Sequence, residues 1–159
     1  MSNPSPEQVE RVMAAIRTAA DADYFFDKLT SPNWIGPLRD AGMFREAPGP
    51  IQDGDLVQLP GWSASRYLVR MAPLAPAEVA TTIAAIGPTE NGRVVLDLVE
   101  AVIAMPDGFA VQLADAAKAW AESPLLLGLP SKLGSFARSS STRACKALRE
   151  SGPSMKGLG

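Results

Sequence analysis

An all-α domain is the fold class this sequence predicts, arranged as a HEAT-like α-solenoid or as an irregular right-handed stack of helical hairpins. Three observations point there. Apolar residues recur at helical spacing along most of the chain, and strand-like alternation is nearly absent. Caps and breakers divide that pattern into helix-sized pieces. Helix starts near positions 76 and 108 lie 32 residues apart, with Ala75-Pro76 and Met105-Pro106 in similar places before Ala-rich segments. That spacing is within the range of helix-pair repeats.

The first helix is the most legible. Ser5 is a cap, Pro6 sits in the first turn, and Gln8 stands where a capping box reaches back. Val9, Val12, Met13, Ile16, Ala19 and Ala20 then form one apolar stripe, which predicts a helix continuing to about position 20. Asp21 or Asp23 restarts a short helix carrying Phe25, Phe26 and Leu29. Ser31-Pro32 opens a third, with Trp34, Ile35 and Leu38. Gly42 is placed to end it as a left-handed residue, with Met43 falling on Leu38.

Five of the ten aromatic residues lie between Tyr24 and Phe44. The polar residues beside them, Asp27, Lys28, Asn33 and Arg39, are spaced like the outer faces of two helices. The stretch therefore reads as a folded joint, with Phe25, Phe26, Trp34 and Leu38 inward.

Between Arg45 and Trp62 come Pro48, Gly49, Pro50, Gly54, Pro60 and Gly61, which predict a long ordered loop at about 45–62 with a short extended piece at Leu56-Val57-Gln58-Leu59. Helices are then expected at 63–72, 76–86, 92–105 and 108–121, and one more from the Leu125-Leu126-Leu127 run to about Arg138. The expected division is a helical-repeat domain over 1–138 and a basic, flexible tail over 139–159.

Composition narrows the function classes. The chain has 159 residues, 47 % of them hydrophobic, so it can bury a core. A formal net charge of −2 gives no electrostatic reason to expect nucleic acid or an anionic membrane. The charge is uneven: residues 1–129 hold 9 Lys/Arg against 16 Asp/Glu, and residues 130–159 hold 6 against Glu150 alone. A scattered basic segment of that kind is a weak nucleic-acid signal. One cysteine, Cys145, excludes an intramolecular disulfide and fits a reducing, cytoplasmic setting; its basic neighbours Arg143 and Lys146 lack a base or second thiol to make it a nucleophile. No leader pattern and no long apolar run is present, so no membrane is expected.

The features Phe25-Phe26 and Leu29, Pro32 and Trp34, Pro37-Leu38, Ala41-Gly42 and Phe44, Tyr67-Leu68 with Arg70-Met71-Ala72-Pro73, Asn91 with Arg93-Val94-Val95 and Asp97 to Ala101, and Met105-Pro106 to Trp120 carry a resemblance. Over about two-thirds of the chain it resembles the helical-repeat region near the start of large bacterial multidomain proteins. That resemblance implies a repeat fold and an adaptor-like role, with further repeats following, and it transfers no site residue.

Chemistry is thinly represented. With no histidine and one cysteine, Ser-His-Asp and Cys-His arrangements and His/Cys zinc sites cannot be built, and no phosphate-cradling glycine loop occurs. No cofactor or metal is expected. Asp53-Gly54 reads as a turn. Asp97 and Glu100 read as neighbours on a solvated helix face, with Arg93 four residues before Asp97 as a surface partner. The leading expectation is a non-catalytic module binding another protein or adjoining domains. The alternative is a small-molecule or enzymatic pocket between the 24–44 aromatic hairpin and the 45–62 loop, with Arg39, Arg45, Asp53, Asp55 and Arg66 as its polar groups.

Overall fold

The fold is taken from a computed structural model that describes residues 3–113 together with positions 115, 116 and 120. The helix expected to end near Arg138, the tail over 139–159 and Cys145 lie outside the described residues.

Helix α1 spans Pro6–Ala15, and its capping box forms as the sequence predicts: Ser5 N donates to Gln8 Oε1 at 2.8 Å and Gln8 N to Ser5 Oγ at 3.3 Å. The helix stops well before position 20. A second capping box, Thr18 with Asp21, starts α2 at Ala19–Lys28 and leaves Ala19 and Ala20 exposed. Asp21 is thus the reaching-back partner and Thr18 the cap. The Thr18 hydroxyl, and then the Arg17 and Thr18 amides, hold the Asp21 carboxyl below its ordinary range.

Pro32–Trp34 form a 3-10 turn that leads into α3, Ile35–Asp40. Gly42 ends α3 at φ +88°, with Gly42 N donating to the Arg39 carbonyl at 2.9 Å and Met43 N to the Leu38 carbonyl at 3.0 Å. These two bonds are the pair that defines a Schellman stop. Only a glycine adopts that backbone without a Cβ penalty.

The loop region departs from an all-α chain. Ile51–Asp53 (β1) and Leu56–Gln58 (β2) pair antiparallel, with Asp53 opposite Leu56, Gln52 opposite Val57 and Ile51 opposite Gln58. Gly54 at φ +60°, followed by Asp55 without a positive φ, gives the sign pattern of a type II′ turn. The extended piece expected at Leu56 to Leu59 is therefore one arm of a hairpin whose other arm lies in IQD.

Helices α4 (Ser63–Met71), α5 (Pro76–Ala85) and α6 (Gly92–Ala104) lie within a few residues of their predicted bounds. Of the predicted 108–121 helix, α7 covers Asp107–Ala110 and passes into a 3-10 turn at Val111–Leu113, positions 115, 116 and 120 are again helical, and positions 114, 117–119 and 121 lie outside the described residues. Helix α2 packs on α4 and α4 on α6, while α1 meets α3, α3 packs on α5, and α5 on α7. Among the described residues no helix is long and apolar enough to cross a membrane.

The core forms where these packed pairs meet. Phe26, Ile35, Leu38, Phe44, Tyr67 and Leu98 are all at most 2 % exposed. The Phe26 ring centroid lies 5.2 Å from Phe25, 5.5 Å from Tyr67 and 5.9 Å from Phe44, so α2 is held to α4 and to the end of α3 by one aromatic cluster. Each such side chain contributes on the order of 1.5–3 kcal/mol on burial. Two short helices that could not persist alone are docked this way. Phe25 and Trp34, expected inward, are half-buried and meet edge-on at 6.0 Å.

Candidate functional site

The residues offered as polar groups of a pocket occupy separate places. Arg39 reaches from α3 to α5, where Nη1 lies 2.9 Å from Glu78 Oε2 and 3.5 Å from Thr82 Oγ1; its Nε is 3.4 Å from Asp40. Asp53 and Asp55 stand at the turn of the β-hairpin, with Asp53 Oδ2 accepting from Gln58 Nε2 at 3.3 Å. Arg45 is exposed, and its side chain covers Gly42.

Arg66 sits on α4, and Nη1 is 3.0 Å from both Asp97 Oδ1 and Glu100 Oε2 of α6. The solvated-face reading of Asp97 is corrected here: the residue is 7 % exposed, and the Ser65 hydroxyl donates between Asp97 Oδ2 at 2.6 Å and the Trp62 carbonyl at 2.7 Å. Asp97 points into the α4–α6 seam because its helical neighbours Val94, Leu98 and Ala101 share that buried side. The Arg66 guanidinium is pushed above its ordinary range, chiefly by the hydrogen bond to Asp97. Arg93 serves elsewhere than as a partner of Asp97, lying over Gly61, whose Cβ position would be 3.4 Å from its Cζ.

Asn91 is a structural residue that the candidate set did not include. It is fully buried, and its Nδ2 donates to the Pro48 carbonyl at 2.9 Å and the Pro60 carbonyl at 2.8 Å. Its Oδ1 caps α6 by accepting from Arg93 N at 3.0 Å. One side chain therefore ties both feet of the hairpin to the start of a core helix. A capping asparagine was legible in principle from Asn-Gly before an apolar run. Its long-range clamp was not.

Two grooves run along α1. The larger, about 440 Å³, is lined by Val12, Ala15, Ile16, Tyr24, Phe25 and Leu29, with Asp21 and Lys28 also on its wall. The second continues past Val12 and Ala15 to Trp34, with Gln8 and Arg11 beside it. None of Arg39, Arg45, Asp53, Asp55 or Arg66 lines either one. Tyr24 is 71 % exposed and Val12 and Ile16 are half-buried, so the outer side of the α1–α2 pair is an apolar, open surface.

Tyr67 and Arg70 of α4 hold the end of α2 and the turn that follows it. The Tyr67 hydroxyl donates to the Ser31 carbonyl at 2.7 Å, and burial pushes its phenol up. Arg70 donates to the Phe26 carbonyl and, at 3.4 Å, to that of Leu29, supplying donors and positive charge at the helix end. Among the described residues no three His, Cys, Asp or Glu side chains are grouped to hold a metal. Comparison with protein-family models, curated proteins and solved structures returned no match for the chain.

Proposed function

We propose that this chain is a non-catalytic protein-protein interaction or scaffold module. In this reading it is a HEAT-like, right-handed stack of helical hairpins that presents its surface to another protein or to adjoining domains of a longer bacterial polypeptide. The observation that carries it is the packing order. Even-numbered helices follow one another, α2 to α4 to α6, and odd-numbered helices do the same from α1 to α7. Hairpins stacked in this way each bury a face against the next, and the end of a stack keeps an apolar face unless a cap covers it. The open α1–α2 groove with Tyr24 on its wall fits such an end. A single cysteine in the chain fits a cytoplasmic setting.

The reading is tested by placing a photo-crosslinking residue at Tyr24 in the host cell and comparing the chain with its Ile16→Asp variant. The expected result is one reproducible protein adduct, lost in the variant while far-UV circular dichroism is unchanged. Equal labelling of both chains, or turnover of a small molecule by the purified protein, would overturn it.

A further inference from the structure

The β1–β2 hairpin is an arm whose feet are fixed and whose length is bare. Asn91 pins the carbonyls of Pro48 and Pro60 from the core. Every residue of both strands is exposed, including Ile51 at 53 %, Val57 at 56 % and Leu56 at 70 %. A two-stranded ribbon with apolar side chains in water is marginal unless a third strand or another surface joins it.

The two edges of the ribbon are not equivalent. With Asp53 opposite Leu56 across a two-residue turn, the alternation of an antiparallel ladder turns the amides of Gln52 and Val57 outward. The next outward position on the β1 side is Pro50, which has no N–H, so that edge is blunted. The β2 side offers Val57 and then Leu59, both able to donate and accept. The arm is also of one charge: from Glu46 to Ser65 there is no Lys or Arg, and Glu46, Asp53 and Asp55 are acidic.

We infer that the β2 edge of this arm takes the basic segment 130–159 of the same chain as a third strand, covering the exposed apolar side chains and neutralising the acidic turn. That segment lies outside the described residues. It holds Lys132, Arg138, Arg143, Lys146, Arg149 and Lys156 against Glu150, and it runs from Ser135 to Ser151 without a proline or glycine to interrupt pairing. Arg138 and Arg143 are the cations that flank its Ser139–Thr142 run, which holds no proline or glycine. Strand addition takes its affinity from main-chain hydrogen bonds and its selectivity from side chains at alternate positions. The α1–α2 groove of the proposed function is a different surface, so the two inferences stand or fall separately.

Amide hydrogen exchange on the full chain tests this, with Gln52 on the blunted edge as the internal reference. The expected result is exchange at Val57 and Leu59 at least about tenfold slower than at Gln52 after correction for intrinsic rates. That protection should be independent of protein concentration and lost at about 1 M salt, where the screening length falls to about 3 Å. The double change Asp53→Lys, Asp55→Lys should abolish it, and adding Arg138→Glu, Arg143→Glu should restore it. All four side chains are either on the exposed arm or in the basic segment, and unchanged far-UV circular dichroism would show the helices intact. Equal exchange at Val57, Leu59 and Gln52 in the unaltered chain would overturn the inference. Protection that disappears on dilution, with a dimer seen by sedimentation, would also overturn it by making a second copy the occupant.

Discussion

Asn91 is the residue whose replacement separates local from long-range roles most cleanly. In Asn91→Ala the cap of α6 is lost, which costs about 1 kcal/mol. The Pro48 and Pro60 carbonyls also lose their donor. Both prolines are half-buried, so water can recover part of each bond, and about 1 kcal/mol per carbonyl is the appropriate low end. The sum is about 3 kcal/mol, a large share of the roughly 5–15 kcal/mol of a typical domain. Asn91→Asp isolates the clamp. Aspartate caps as well as asparagine does, yet it sets a carboxylate oxygen against two carbonyl oxygens, so about 2 kcal/mol or more should still be lost. Urea unfolding followed at a helical wavelength measures both. For a slope of about 2 kcal/mol/M, the alanine variant should lower the midpoint by about 1.5 M with the slope unchanged. An aspartate variant within about 0.5 kcal/mol of the parent would refute the clamp and leave Asn91 as an ordinary cap.

Two other outcomes follow from burial. Because burial raises the Tyr67 phenol in the folded chain, its contribution is complete below the unfolded value of about 10 and is lost as pH rises through the folded one; comparing alkaline unfolding of the parent and Tyr67→Phe should show a shallower decline in the variant, which also loses about 1 kcal/mol at neutral pH with the bond to Ser31. Leu38, fully buried, should cost about 2–5 kcal/mol on replacement by alanine, and the half-buried Trp34 about 2 kcal/mol, so denaturant midpoints that rank Trp34→Ala as the worse variant would contradict the packing described.

What could be read in advance was local. The Ser5–Gln8 box, the Gly42 stop and the Asp53-Gly54 turn each depend on residues within a few positions of one another, and each formed as the residue types require. The overextended first helix shows the limit of the same reading. Periodicity alone ran through Ala19 and Ala20, while the competing Thr18–Asp21 box decided where the chain breaks. Asp97 was misplaced for a related reason: a carboxylate on a helix is solvated unless a neighbouring element brings a donor. The donors, Ser65 and Arg66, arrive from α4, some thirty positions away.

Of the site residues, the sequence identified polar groups but not their company. Arg39 and Arg66 were candidates because they flank a long loop, and in the fold each is occupied by a carboxylate across a helix pair. The open surfaces lie along α1 and on the hairpin, where exposure follows from what does not pack there, something no window of residues contains.

The sequence by itself determined the helices, most of their ends and the absence of histidine chemistry, because hydrogen bonds between near neighbours and side-chain period are written in consecutive residues. Only the tertiary structure decided that Asn91 holds the feet of the hairpin, that Asp97 is buried against Ser65, and that Tyr24 stays exposed. Those outcomes depend on which donors and apolar faces meet across tens of residues, and that is set by the packing of the whole chain.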